Sequence, residues 1–439
     1  MRVRFWGTRG SIASPGASTV RYGGNTPCVE VRTDDDTLLI FDCGTGARAL
    51  GMLLAQGSPV RAHLFLSHTH SDHIQGLPFF VPAFQPGSHL TIYGPAGVDR
   101  SFPRAVGGQM DYAYFPVPIG DLPSHVDFEE LGEGSFSVGA ARVLTQNLNH
   151  TGPCLGYRLE VGGITLVYAT DHEPYAFPTW RPDRRAESFE PESLLHPGDL
   201  RHAEFLRGAD LVIHDTQYTE AEYPAKVGWG HSPVEYAVDL AIVGRAKRLA
   251  LFHHDPNRGD EAVDALLAAS RARAAKTGRR LDITAAAEGE QITLSERAES
   301  PPVEPGPRAP RVPTRARILV AEDDPDLGPV LEEVLAEDGY EVVRTTNGAE
   351  AVRLAEQHTF DLILLDVEMP TLDGLAACRA LRADPRQETV PIVMLTARSA
   401  EEQVLMGFAE GATDYLTKPF AVAQFRARVR AWLTQAAHE

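Results

Sequence analysis

The chain has 439 residues, 43 % of them hydrophobic and 23 % charged, and its 41 Lys+Arg against 60 Asp+Glu give a formal net charge of −19. This composition excludes a mostly disordered chain, and the acidity makes it a poor general binder of DNA, long RNA or anionic membrane. No apolar run approaches the ~18 residues of a transmembrane helix, so no membrane span is expected.

The start, MRVRFWGTRGS, lacks the apolar core and cleavage site of a signal peptide. Cys28, Cys43, Cys154 and Cys378 are scattered without metal-like or redox spacing. They read as reduced thiols of a cytoplasmic protein. The 16 histidines are clustered rather than spread.

In chain order, VRFWG, CVEVR, LLIFDCG, AHLFLSH, LTIYGP, ARVLTQ, LGYRLEV, ITLVYATD, LVIHD and RLALFHH read as short strands. Between and after them, PVEYAVDLAIVG and EAVDALLAASRARAAKTG carry apolar residues at helical spacing. Strands and helices mixed this way predict two sheets with covering helices over residues 1–297. Residues 298–314 (AESPPVEPGPRAPRVPT) are Pro-rich, lack large apolar side chains and read as an extended linker. From 315 to 439 strands and helices alternate regularly: RILVAED, PVLEEVLAEDG, YEVVRTT, AEAVRLAEQH, DLILLDV, LAACRALRAD, VPIVMLTA, EEQVLMGFAEG, DYLTKP and VAQFRARVRAWLTQ. That pattern predicts a doubly wound parallel (βα)5 sheet, so the fold class is α/β throughout.

The densest chemistry is Ser67-His68-Thr69-His70-Ser71-Asp72-His73, directly after the strand HLFLS. Four potential ligands in six positions on a turn cannot converge on one tetrahedral ion, but they can point at two adjacent ones. His150, Asp171 and His253 each lie at or next to the end of an apolar strand and complete a two-metal inventory. Two divalent ions about 3.5–4 Å apart acidify a water and clamp attacking and leaving oxygens. Nitrogen and oxygen ligands without thiolate suit two zinc ions, with manganese or iron as alternatives.

The run HTHSDH, followed in order by His150, Asp171 and His253, resembles the signature of the metallo-β-lactamase fold superfamily. The resemblance covers residues 1 to about 297 and implies an αββα sandwich with metals at one sheet edge. It implies that His68, His70 and His150 hold one ion, that Asp72, His73 and His253 hold the other, and that Asp171 bridges. A histidine at position 70 departs from the flavodiiron branch, and His73 departs from true β-lactamases.

Fold does not settle substrate. Leu211-Val212-Ile213-His214-Asp215 and Gly230-His231-Ser232-Pro233, the latter opening a helix, resemble the phosphodiesterase branch typified by ribonuclease Z and cyclic-nucleotide phosphodiesterases. The resemblance makes His231 the general acid or phosphate contact and Asp215 its orienter, so His231, Asp215 and Asp72 are the candidate catalytic residues. A helix N-terminus beside His231 would favour an anionic phosphate. The bland alternative is that His231 neighbours a normal cap, with Ser232 capping and Pro233 at the first helical position. His172, Glu173 and His254 are weaker pocket candidates, and the segment Pro174 to Gly208, with Trp180, Arg181, Arg184 and Arg185, is a candidate lid or a solvated loop. There is no Lys-rich insertion comparable to the basic exosite of ribonuclease Z, and residues 1–314 hold 29 basic and 38 acidic side chains. A small phosphodiester, such as a cyclic nucleotide or dinucleotide, is therefore expected over structured RNA.

In the C-terminal module, Glu322-Asp323, Asp366, Thr396, Tyr415 and Lys418 fall at or near strand ends, where they form an acidic pocket suited to Mg²⁺ and a phosphoryl group. From about Arg315 to Gln435 the module resembles the response-regulator receiver domain. By that resemblance Asp366 is the phosphoacceptor, and Mg²⁺ is bound by Glu322, Asp323, Asp366 and the Glu368 carbonyl. Thr396 and Lys418 contact the phosphoryl group, Tyr415 is the switch aromatic, and a sensor histidine kinase is the phosphodonor. The expected whole is a cytoplasmic, two-component-regulated dinuclear hydrolase with no membrane or DNA partner, and a homodimer is compatible with it. The alternatives are a thioesterase or lactonase on the same metals, a ribonuclease Z-like endonuclease, and a non-enzymatic phosphorelay scaffold.

Overall fold

The computed structural model describes residues 1–97, 100–175, 196–295, 316–387, 390–397 and 411–418, with Phe420, Val422, Phe425, Arg426, Arg428, Val429, Trp432 and Leu433 beyond them. The expected linker 298–314 and the candidate lid arginines lie outside the described residues. The chain divides into two compact units, Met1–Arg308 and Ala309–Glu439.

In the first unit, β1 (Arg2–Gly7), β2 (Cys28–Arg32), β3 (Leu38–Phe41), β4 (Arg61–Phe65), β5 (His89–Pro95) and β6 (His125–Leu131) form one sheet, with β14 (Gln291–Thr293) beside β1. A second sheet runs β7 (Gly134–Val138), β8 (Ala141–Asn147), β9 (Leu155–Val161), β10 (Ile164–Ala169), β11 (Leu211–Asp215), β12 (Arg248–Phe252) and β13 (Asp282–Ala285) in that spatial order. β3 to β6 run parallel to one another, as do β10 to β13.

The period-two geometry of a strand explains why the central strands are apolar on consecutive residues. Leu39 and Phe41 of β3 point into the core between the sheets, while Leu38 and Ile40 point outward. On the second sheet, Leu166, Tyr168, Ala250 and Phe252 face that core, and Val167, Ala169, Leu249 and Leu251 face outward beneath the helix Val234–Val243. Helix Ala47–Leu54 covers the other outer face through Ala47, Leu50 and Leu54. The layers are therefore helix, sheet, sheet, helix, as expected. The sequence reading missed β6, β7, β13 and β14. β6, HVDFEEL, lies at a sheet edge, alternates only weakly and carries three carboxylates.

The second unit has a five-stranded parallel sheet in the order β16 (Glu341–Thr345), β15 (Arg317–Ala321), β17 (Leu362–Asp366), β18 (Ile392–Ala397), β19 (Asp414–Lys418). Alternate residues of β15, β17 and β18 feed two separate cores, one on each face. Trp432 is buried in one of them, and its indole N–H donates to Asp414 at 2.6 Å.

Phe41 meets Phe65, Tyr157 and Tyr168 with ring centroids 5.2–5.8 Å apart. Phe41→Ala should therefore lower unfolding free energy by about 3–5 kcal/mol. The Tyr157 hydroxyl donates to the Leu66 carbonyl, 2.6 Å away across the core. Tyr157→Phe leaves that carbonyl unpaired and should cost about 1–3 kcal/mol. Urea unfolding followed by circular dichroism measures both, and equal midpoints for wild type and Phe41→Ala would contradict this packing.

Candidate metal centre and acidic pocket

The histidines converge because their strands end at one rim of the two sheets. The turn after β4 carries His68 and His70 into the short helix Ser71–Ile74, which holds Asp72 and His73. His150 follows β8, Asp171 follows β10, and His253 follows β12. Asp171 and His253 sit at φ 55° and 59°, and Asp42, following β3, at 55°. Non-glycine residues in this left-handed region cluster where a fold spends strain on a site.

The donor atoms form overlapping groups: His68, His70, His150 and Asp171 are the first, Asp72, His73 and His253 the second, and Asp171, Asp215, His231 and His253 a third that links them. Asp171 presents Oδ2 to the first, 3.7 Å from His68 Nε2 and 3.8 Å from His150 Nε2. Its Oδ1 meets the second, 3.3 Å from His73 Nε2 and 3.2 Å from His253 Nε2. The three expected ligands of each ion are thus together, with Asp171 between them.

The far nitrogens of these rings are committed. Nδ1 of His73 donates to Asp42 (2.7 Å), that of His150 to the Gly230 carbonyl (2.8 Å) and that of His253 to Gln217 Oε1 (3.0 Å). Ser67 Oγ gives its proton to Asp42 and lies 3.0 Å from His68 Nδ1, so it accepts there. Each partner fixes a tautomer that leaves Nε2 as a lone pair directed inward. Nε2 of His68 and of His73 is buried without a hydrogen bond, and His150 Nε2 stands 3.1 Å from His70 Nδ1. Orphaned imidazole lone pairs converging on carboxylates fit divalent cations.

The charge states of the first group agree, whereas at His73 burial is outweighed by the carboxylates of Asp72, Asp171 and Asp42, which push the imidazole well up. Burial holds His68 well below its ordinary value, holds His70 below it and takes His150 down to about 3, so these rings are neutral. Burial opposes ionisation of Asp171, but His253 and His73 outweigh it and hold the carboxyl well below its usual range. Cys154 lies 3.9 Å from His68 Nδ1, and burial pushes its thiol well up.

His231 adjoins this centre. Its Nδ1 is 2.9 Å from Asp215 Oδ2 and 3.8 Å from Asp171 Oδ2. Burial opposes its charge, but Asp215 and Asp171 raise it to about 9. Ser232 is not a helix cap: its hydroxyl donates to the His172 carbonyl, and the helix begins after Pro233 without a side-chain cap.

Sequence reasoning missed the residues that hold the ligands. Asp42 accepts from Ser67, His73 and Tyr168. The Ser11 backbone N–H donates to Asp72 at 2.8 Å, and Gln217 orients His253. Asp42, at the tip of the apolar strand LLIF, carries the same strand-end signal that marked Asp171; Ser11 and Gln217 carry none. The weaker pocket candidates have structural bonds instead. His172 Nε2 meets the Tyr236 hydroxyl, His254 meets the Ala286 carbonyl, and Glu173 accepts from Tyr223 and from the backbone of Gly228 and Gly230.

In the second unit a cavity of about 710 Å³ is lined by Glu322, Asp323, Asp366, Glu368 and Lys418, among others. Lys418 Nζ lies 2.6 Å from Glu322 Oε2 and 3.0 Å from Asp366 Oδ2. Burial, with Asp366 alongside, pushes Glu322 up to about 7 against the pull of Lys418. Glu322, Asp323 and Asp366 place one oxygen each within 4.8 Å of one another. Thr396 is buried in β18, one strand from Asp366. Tyr415 takes its place in β19, but its side chain lies outside the described residues. Among the described residues no helix is long and apolar enough to cross a membrane.

Residues 37–254 match the family described as beta-lactamase superfamily domain, and residues 318–430 match the response regulator receiver domain. The DNA-binding dual master transcriptional regulator RpaA of Synechocystis is 43 % identical over 117 residues, 27 % of this chain and 48 % of that protein. The chain spans about half the length of the curated relatives it matches. Among solved structures, a diphosphatase from the PhnP family aligns at 17 % identity and TM-score 0.45, over 67 % of this chain and 98 % of that one. The short form of human tRNase Z aligns at 21 % identity and TM-score 0.45, over 67 % and 100 %. The chain thus joins a metallo-β-lactamase-fold domain of the beta-lactamase superfamily to a C-terminal receiver domain of the response regulator family.

Proposed function

We propose that the first domain is a dinuclear metal-dependent phosphodiesterase acting on a small phosphodiester, such as a cyclic nucleotide or dinucleotide, and that phosphorylation of Asp366 controls it. The observation that carries this reading is the His231–Asp215 pair, 2.9 Å apart and set against Asp171. Thioester or lactone hydrolysis has less use for such an acid, whereas cleavage of a phosphodiester must protonate a poor leaving oxygen.

His68, His70 and His150 would hold one cation, Asp72, His73 and His253 the other, with Asp171 shared. Imidazole and carboxylate donors without thiolate favour zinc. Bound cations would supply Lewis-acid activation of water and of the phosphoryl group. The remaining work falls to the chain. With Nδ1 committed to Asp215, His231 delivers its proton from Nε2 to the leaving oxygen. Asp215 fixes the ring and stabilises its charged form, and Asp72, pinned by Ser11, keeps its orientation in the second ligand group. In the receiver, Glu322, Asp323, Asp366 and the Glu368 carbonyl would hold Mg²⁺. Lys418, already 3.0 Å from Asp366, would pair with the phosphoryl group beside Thr396, and Tyr415 would report the change. A histidine kinase is the natural phosphodonor.

Zinc-loaded protein should hydrolyse members of a panel of cyclic mononucleotides and dinucleotides. His231→Ala should lower kcat about 10²–10⁴-fold, while metal analysis still finds two ions per chain. Turnover of thioesters or lactones that is insensitive to His231→Ala, or of precursor tRNA alone, would overturn the reading. For regulation, acetyl phosphate with Mg²⁺ should label wild type and not Asp366→Ala, and should change diester turnover in wild type only. Identical rates in all four conditions would remove the regulatory claim.

A further inference from the structure

We infer that Trp229 is the stacking platform for the nucleobase of a nucleotide diester held at the metal centre, an inference that rests on the phosphodiesterase reading above. Trp229 is 52 % exposed, and its backbone is held on both sides. The N–H groups of its neighbours Gly228 and Gly230 both donate to the buried Glu173 carboxylate, at 2.5 and 2.8 Å. Its own N–H closes a turn onto the Lys226 carbonyl at 3.1 Å. Gly228 and Gly230 sit at φ +83° and +82°, and a Cβ on Gly230 would fall 2.1 Å from His150 Nδ1. Glycine on both sides, and a carboxylate clamping both, present the indole from a fixed loop. The Gly230 carbonyl accepts from His150, so the platform lies one residue from a ligand's partner and two from His231.

The surroundings of the ring match a nucleotide. Lys226 Nζ stands 3.9 Å from the Trp229 ring centroid and 5.8 Å from that of Tyr218, whose ring is edge-on to His231 at 5.8 Å. An ammonium over the indole puts positive charge on the loop that leads into His231. Half of the residue's surface faces solvent. Trp6 and Trp432, by contrast, use their indole N–H groups on Glu30 and Asp414 within the fold. Stacking on an exposed ring tolerates any base, because every base has a π-face.

The test uses full-length zinc-loaded protein, adenosine 5′-monophosphate as the binding probe, and Trp229→Ala and Trp229→Phe. Calorimetry should show AMP affinity falling about tenfold in Trp229→Ala, the order of one base–aromatic stack, with Trp229→Phe recovering most of it. The kcat/KM preference for a cyclic nucleotide over a ring-free alkyl diester should fall by a similar factor, through KM. AMP affinity and preference both equal to wild type in Trp229→Ala would overturn the platform, as would loss of the same size on both diesters. If no diester is turned over but AMP binding still depends on Trp229, the catalytic reading fails and the platform stands.

Discussion

The carboxylate of Asp42 has no exposure to solvent, and it accepts from the Ser67 N–H and hydroxyl, from His73 Nδ1 and from the Tyr168 hydroxyl. These donors come from the turn after β4, from the helix that follows it and from β10 of the opposite sheet. Burying a carboxylate costs several kcal/mol unless donors surround it. Here the donors are also the scaffold of the centre. Asp42 aims His73, fixes Ser67 so that Ser67 can hold His68, and ties the two sheets together where their strands end. The aromatic core beneath it, Phe41, Phe65, Tyr157 and Tyr168, packs that corner tightly.

Much of this arrangement was legible in the sequence because the candidate ligands lie close together or at the ends of apolar strands. His68, His70, Asp72 and His73 crowd one turn, and His150, Asp171 and His253 each follow an apolar strand. The supporting residues do not announce themselves. Gln217 matters only because folding brings it to His253, and Ser11 only because its backbone reaches Asp72, sixty-one residues on. A glutamine and a serine in polar loops carry no signal of such use. Glu173 was singled out, but as a pocket residue; its carboxylate turns inward to hold the 228–230 loop, a role set by backbone N–H groups that any sequence would supply. The edge strands escaped for a different reason. A strand with one wet face and one missing neighbour needs little apolar pattern, and HVDFEEL shows almost none.

The receiver domain is legible for the opposite reason. Its chemistry sits on strand tips one after another, so order along the chain reproduces neighbourhood in space. The structure adds the state of charge. Lys418 bridges Glu322 and Asp366, and Glu322 is held near neutrality by burial and by Asp366. Two carboxylates sharing one ammonium form a pocket short of positive charge, which a divalent cation relieves. A phosphoryl group on Asp366, as proposed above, would give the same lysine a stronger partner within reach.

The acidity of the chain bears on the substrate in a way its total conceals. The receiver segment, residues 315–439, carries 22 of the 60 acidic side chains and 12 of the 41 basic ones. The preceding 314 residues are therefore only moderately acidic for their length. At physiological salt, charges act over about 8 Å, so a polyanion spread across the domain meets a net negative surface, while a small diester meets only what surrounds the centre. On the phosphodiesterase reading it would meet Lys226 and the charged form of His231 there, both beside the loop that Glu173 holds. One carboxylate thus fixes the rim residue Trp229 and, through Gly230, the partner of His150. A substitution that loosened the rim would also disturb the ligand behind it, and that coupling restricts the loop to residues able to adopt its two left-handed glycine turns.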